Sequence, residues 1–225
     1  MLRTQFEEEL LNLHNQFYEM GMMTSSAVHK SVRSYIKHDK KLAKEVIASD
    51  DAINEMETLL EKKSFEMIAL QQPVTTDLRM IITVLKASSD LERMADHAVS
   101  ISKSTIRVKG ETRIAEIEKD ISDMSDYVKK MVDNVLVAYV KTNEEDARMI
   151  AKMDQRVNDF YAHIYHKTIK NMQDNPETVI SGTDYLSVAQ YLERIGDYVT
   201  NICEWIVYLA TGKISELNTS HDKEI

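Results

Sequence analysis

The sequence predicts an all-α fold: two similar three-helix bundles in tandem, six long antiparallel helices built on an internal repeat. Three observations predict it. Only 5 Gly and 2 Pro occur in 225 residues, too few for a turn-rich β fold or for disordered linkers. Apolar residues recur at helical spacing almost from end to end. The chain also repeats itself: at an offset of 104, Met20 matches Met124, Tyr35 matches Tyr139, Lys37 matches Lys141 and Ala43 matches Ala147. Asp50 and Asn54 likewise fall on Asp154 and Asn158. Beyond the proline-containing breaks the offset is 101, and Leu91, Glu92, Arg93 and Asp96 fall on Leu192, Glu193, Arg194 and Asp197.

The spacing places helices at about 4–37, 39–71, 74–107, 112–141, 143–173 and 178–212. Asp39 caps the second helix. Pro73 in "QQPV" ends it, because proline cannot continue the hydrogen-bond ladder. Gly110 marks the turn between the repeats, which divides the chain into bundles 1–109 and 110–225. "TNEE" at 142–145 reads as a capping box, with Thr142 at the cap and Glu145 three residues on. "DNPE" at 174–177 supplies a cap residue, a first-turn proline and an early acid. Gly212 stops the last helix. Helices near 30 residues run roughly 45 Å and bury their apolar faces by antiparallel bundling over short loops.

Composition narrows function. A net charge of -9 disfavours nucleic acid as a partner and suits cations or basic protein surfaces. A single cysteine, Cys203, excludes an intrachain disulfide framework and a cysteine-based zinc site, and fits a reducing compartment. The charged start "MLRTQFEEELLNLHNQ" has no apolar signal-peptide run, and no stretch approaches 18 apolar residues. The expectation is a soluble, cytoplasmic protein. Long helices with an apolar surplus suit a homodimer.

The repeated stretches "LERMADHA" (91–98) and "LERIGDYV" (192–199) carry the chemistry. In each, the acids stand one helical turn apart: Glu92 with Asp96, and Glu193 with Asp197. The seams Leu91, Met94, Ala98, Ile101 and Leu192, Ile195, Val199, Ile202, Ile206 face the other way. Asn201 extends the second acidic strip by a turn. Asp50/Asn54 and Asp154/Asn158 lie one helix earlier in each repeat; set side by side with the acids, they make an oxygen-rich cluster. Oxygen donors of this kind take Mg, Mn, Ca or iron ions rather than a closed structural zinc. The simpler reading is a solvated face, with Arg93 paired to Asp96, Arg194 to Asp197, and other acid pairs such as Glu57/Glu61 alongside. Like charges at this spacing cost a few tenths of a kcal/mol, yet the arrangement occurs at the same place in both repeats. His163 and His166 could share a cation but read first as surface residues, and Cys203 and Trp205 read as packing. No nucleophile with its base, phosphate-cradling glycine loop or metalloprotease motif occurs, so no catalytic or organic-cofactor residue is assigned.

The segment "LLEKKSFEMIALQQPVTTDLRMIITVLKASSDLERMADHAVSISK" at 59–103 resembles the first repeat of the PhoU family, and "QYLERIGDYVTNICEWIVYLATGKISEL" at 190–217 resembles the second. The resemblance covers essentially the whole chain. It implies a cytoplasmic, non-enzymatic regulator of phosphate homeostasis. Such a regulator acts with the ATPase subunit of an ABC-type phosphate transporter and with a membrane sensor histidine kinase, restraining uptake when phosphate is plentiful. The family's metal motif, E(D)xxxD, maps onto Glu92/Asp96 and Glu193/Asp197; Asp50/Asn54 and Asp154/Asn158 match it less well, because Asn replaces the final acid. The resemblance implies iron or zinc clusters on these strips in some members. Ser100 and Lys103 in the first repeat stand where Asn201 and Glu204 stand in the second, so the second strip is expected to hold metal more firmly. The competing reading is a di-iron enzyme or iron store. Such bundles use Glu-x-x-His, and no His in this chain has a Glu three residues before it.

Overall fold

The computed structural model describes residues 2–107 and 113–217. Helix α1 spans Leu2–Lys37, α2 Lys40–Gln71 and α3 Thr75–Arg107. Helix α4 spans Ala115–Lys141, α5 Glu144–Asp174 and, after one 3₁₀ turn at Pro176–Thr178, α6 Val179–Thr211. Helices α1, α2 and α3 pack on one another, as do α4, α5 and α6. The two bundles meet through α1 against α4 and α3 against α6, which leaves α2 and α5 as outer helices. Gly110, the expected turn, lies outside the described residues.

The seams read from the sequence form the core. Leu91, Met94 and Ile101 on α3, and Leu192, Ile195, Ile202 and Ile206 on α6, are fully buried. Gly21 lets α1 approach α4 closely: a Cβ there would sit 2.3 Å from a methyl group of the buried Leu136. The helix ends are set by local chemistry. The Asp39 carboxylate accepts from the N–H groups of Lys41 and Leu42, each at 3.0 Å. Gly212 closes α6 in the left-handed conformation, φ 75°, donating its N–H to Tyr208 O at 2.7 Å.

One cap is shifted from the expected place. Thr142 does not start α5; it terminates α4 at φ 49°, and Asn143 caps α5, accepting from Glu145 and Asp146 N–H. Its own amide donates to Asp146 Oδ2 at 2.8 Å, so the reciprocal partner is Asp146 rather than Glu145. The reason is that one residue must reverse the chain before the next helix can begin. The same turn recurs one repeat earlier, where His38 has φ 51° ahead of Asp39. A β-branched residue is strained in this region. Thr142→Gly is therefore expected to stabilise the protein by about 0.5–1 kcal/mol, measured as a raised urea midpoint at unchanged slope.

Candidate functional site

The groove between α2 and α3 gathers the first acidic strip. Glu92 and Asp96 project from successive turns of α3, and α2 brings Asp50 and Glu57 into electrostatic contact with them. Burial, then the charges of Asp96, Glu57 and Asp50, push the Glu92 carboxyl up to about 7. Asp50 is raised by burial and then by Asp96, and Glu57 by burial and then by Glu61. Asp50 Oδ1 and Asn54 Oδ1 are buried and have no hydrogen-bond partner among the described residues. Sequence reasoning left Glu57 among the solvated pairs. Its signal was spacing, three residues after Asn54 and seven after Asp50, which puts all three on one face of α2.

These shifts make a pH prediction. Glu92 has a folded-state pKa above its unfolded value of about 4.3. Between about pH 5 and 7 the folded protein therefore holds more protons than the unfolded chain, and metal-free stability falls as pH rises through that window. After discounting for solvent screening, Glu92→Gln is expected to stabilise the metal-free protein by about 1 kcal/mol at pH 7.5 and by nothing measurable at pH 5. Urea denaturation at the two pH values checks this, and an equal effect at both would contradict the assignment.

The second strip lies between α5 and α6 and is packed differently. Asp154 is buried and accepts from Asn158 Nδ2 at 3.3 Å. Gly196 faces it, in the position that Ala95 fills in the first repeat; a Cβ at Gly196 would come within 2.8 Å of Asp154 Oδ1. Thus "LERIGDYV" reads Gly where "LERMADHA" reads Ala, and the missing Cβ leaves room for the Asp154 and Val157 side chains of α5. Glu193 is largely covered, with Tyr161 of α5 beside it. Asn201 does not extend this strip. Its amide donates to Asp90 Oδ1 on α3 at 3.2 Å, across the contact between bundles. Glu204 accepts from Leu217 N–H at 2.7 Å. The sequence argument for a firmer second strip relied on these two residues, and both are engaged elsewhere. Glu57, for its part, adds a carboxylate to the first strip where the second repeat has Tyr161.

The arginine of the first motif finds its partner on the other bundle. Arg93 reaches the Tyr198 hydroxyl on α6. Arg194 stands 4.0 Å from Glu193. His97 stacks between Tyr191 and Tyr198, with ring centroids 5.5 and 5.8 Å away, so it is part of the seam between bundles. His163 lies 3.5 Å from Asp120 on α4, and His166 packs edge-on against Tyr165.

In donor chemistry the first strip suits a hard cation: clustered carboxylates, mutually repelling, with buried oxygens lacking donors. Among the described residues, no three His, Cys, Asp or Glu side chains converge on one point as a formed coordination shell would. The groove is open, and ligation would need side-chain rotation.

The family model of the PhoU domain matches residues 17–105 and again 121–206. The chain belongs to the PhoU family. A phosphate-specific transport system accessory protein PhoU homolog of Clostridium acetobutylicum is 39% identical over 97% of this chain and 100% of its own length. The Streptococcus pneumoniae protein of the same name is 34% identical over 96% and 100%. The crystal structure of the phosphate transport system regulatory protein PhoU from Streptococcus pneumoniae superposes with a TM-score of 0.88 at 32% identity, covering 93% of this chain and 99% of that one. That of PhoU from Pseudomonas aeruginosa gives 0.89 at 29% identity, covering 92% and 100%. The two PhoU matches contain both acidic strips and the α3–α6 seam between bundles. Among the described residues no helix is long and apolar enough to cross a membrane.

Proposed function

We propose that this chain is a non-enzymatic regulator of phosphate uptake and of the phosphate-starvation response. It acts in the cytoplasm by contact with the ATPase subunit of an ABC-type phosphate transporter and with a sensor histidine kinase. The observation that carries this reading is the correspondence of both repeats, over nearly the whole chain, with relatives named as phosphate transport accessory and regulatory proteins. The close helical packing and the charged grooves suit a contact surface. The first acidic strip is the better cation site. Glu92, Asp96, Asp50 and Glu57 would hold the ion, with Asn54 as a neutral donor, and the ion would neutralise their mutual repulsion. The second strip, Asp154, Asn158, Glu193 and Asp197, offers a more enclosed site between α5 and α6. Metal would order the strips and so stiffen the surfaces presented to partners.

Contact is tested directly. The purified chain is expected to bind the purified ATPase subunit and the cytoplasmic part of the kinase in surface plasmon resonance. No response with either partner at tens of micromolar would remove the contact mechanism.

A further inference from the structure

The face formed by α1, α4 and the start of α5 is apolar although it is exposed. Met22 is 50% exposed, Val137 46%, Val140 49% and Met149 60%, and Leu11 and Tyr18 continue the stripe along α1. Val137 stands as a ridge between two clefts. One, of about 360 Å³, lies between α1 and α4 and is lined by His14, Tyr18, Val140 and Lys141. The other, of about 270 Å³, lies between α4 and α5 and is lined by Asp146, Met149 and Met153. His14 Nδ1, on the wall of the first cleft, is buried and lacks a hydrogen-bond partner among the described residues.

The internal repeat supplies a control for this face within the same chain. The offset of 104 carries Tyr18 to Ser122, Met22 to Asp126, Val137 to Arg33 and Met149 to Glu45. These counterparts form the equivalent face at the other end of the antiparallel α1–α4 pair. The cleft there is smaller, about 150 Å³, and is lined by Arg33, Lys37 and Asp126. At Met22, Val137 and Met149 the fold therefore does not require an apolar residue, because the same architecture carries charges at Asp126, Arg33 and Glu45; Val140 keeps an apolar counterpart, Ile36. Exposed apolar area that the fold does not use marks a contact surface.

The rim narrows the occupant. Glu8 and Glu19 flank the stripe on α1, and Glu145 and Asp146 on α5, against Lys141 and Lys152. Asp133 and Lys129 on α4 pair with each other and cancel. This excess of acid disfavours a second copy, whose identical rim would meet it, and favours a basic partner. Two parallel clefts with a ridge between them suit a helix laid along the groove with anchors at i, i+4 and i+7. We infer that this face is the docking groove for an amphipathic helix of another protein, its apolar stripe seated over Val137 and its flanks rich in Lys or Arg. The inference stands apart from the phosphate reading.

The test uses the full chain and two fluorescent 18-residue helical peptides. Both carry a Leu stripe, one flanked by Lys and the other by Glu. The Lys-flanked peptide is expected to bind with micromolar affinity, and the Glu-flanked peptide at least tenfold more weakly. Val137→Asp is expected to weaken the Lys-flanked peptide at least tenfold. Arg33→Asp, on the counterpart face, adds more negative charge and should leave it within twofold. Val140→Asp replaces Val137→Asp if circular dichroism shows the latter unfolded. Three results would overturn the inference: undiminished binding by the Asp variant on the apolar face, equal binding of the Glu-flanked peptide, or a wild-type dimer in sedimentation that Val137→Asp dissociates. The last would assign the face to a second copy.

Discussion

Arg113→Ala is expected to destabilise the protein by about 3 kcal/mol, although Arg113 itself is half exposed. The energy resides in its partner. Glu118 is buried, and Arg113 reaches both of its oxygens, the Nε–H donating to Oε1 at 2.9 Å. A further guanidinium N–H donates to Ile36 O at 2.9 Å. Tyr185 Oη donates to Glu118 Oε1 at 3.0 Å and accepts from Ile114 N–H at 3.0 Å. Burial, then the Glu118 charge, push the Tyr185 hydroxyl up to about 12, so it remains a donor at every physiological pH. A few residues away, Arg107 holds the buried Asp184, the Nε–H donating at 3.2 Å. The two arginines flank 108–112, and their partners lie on α4 and α6, with Ile36 on α1. This is a clamp between the bundles. Without Arg113, a buried carboxylate is left with one neutral donor and His38 at 3.6 Å. The double variant Arg113→Ala/Glu118→Gln should lose clearly less than the single one, because no charge is stranded. Urea denaturation reads both, and a single variant within 0.5 kcal/mol of wild type would reduce the clamp to a surface contact.

The second large effect concerns metal. Protein purified without a His-tag or chelator is expected to carry a cation that elemental mass spectrometry detects. Glu92→Ala/Asp96→Ala should lower the bound amount by more than half, because two of the four carboxylates of the better site are gone. Glu193→Ala/Asp197→Ala should lower it less, since the first strip keeps all four acids. Loss confined to the second variant would reverse the assignment of the better site. No metal in any of the three proteins would leave both strips as acidic contact surface.

The fold was legible because every level of the sequence pointed the same way. The apolar period set the helices, the caps Asp39 and Gly212 set their ends, and the repeat set their grouping. Thr142 and Asn143 traded roles because a sequence pattern does not say which of two polar residues takes the left-handed turn. The site was legible only within a helix. Glu92/Asp96 and Glu193/Asp197 were found because their spacing is local. Asn201 and Arg93 were placed in the wrong company because their partners, Asp90 and Tyr198, lie across the α3–α6 contact about a hundred residues away. Glu57 was passed over for a related reason: it matters only once α2 is laid against α3. The Gly196/Ala95 difference was visible in the two quoted motifs, but its consequence, room for the Asp154 side chain of α5, was not.

The measurement that tests the central claim most directly is phosphate uptake in phosphate-rich medium. It would be made in a strain lacking this chain, and in the same strain complemented with wild type or with Glu92→Ala/Asp96→Ala. The account predicts that uptake and starvation-gene expression stay high without the chain, fall to normal with wild type, and are restrained only in part by the strip variant. Uptake and expression that are the same with and without the chain would contradict it.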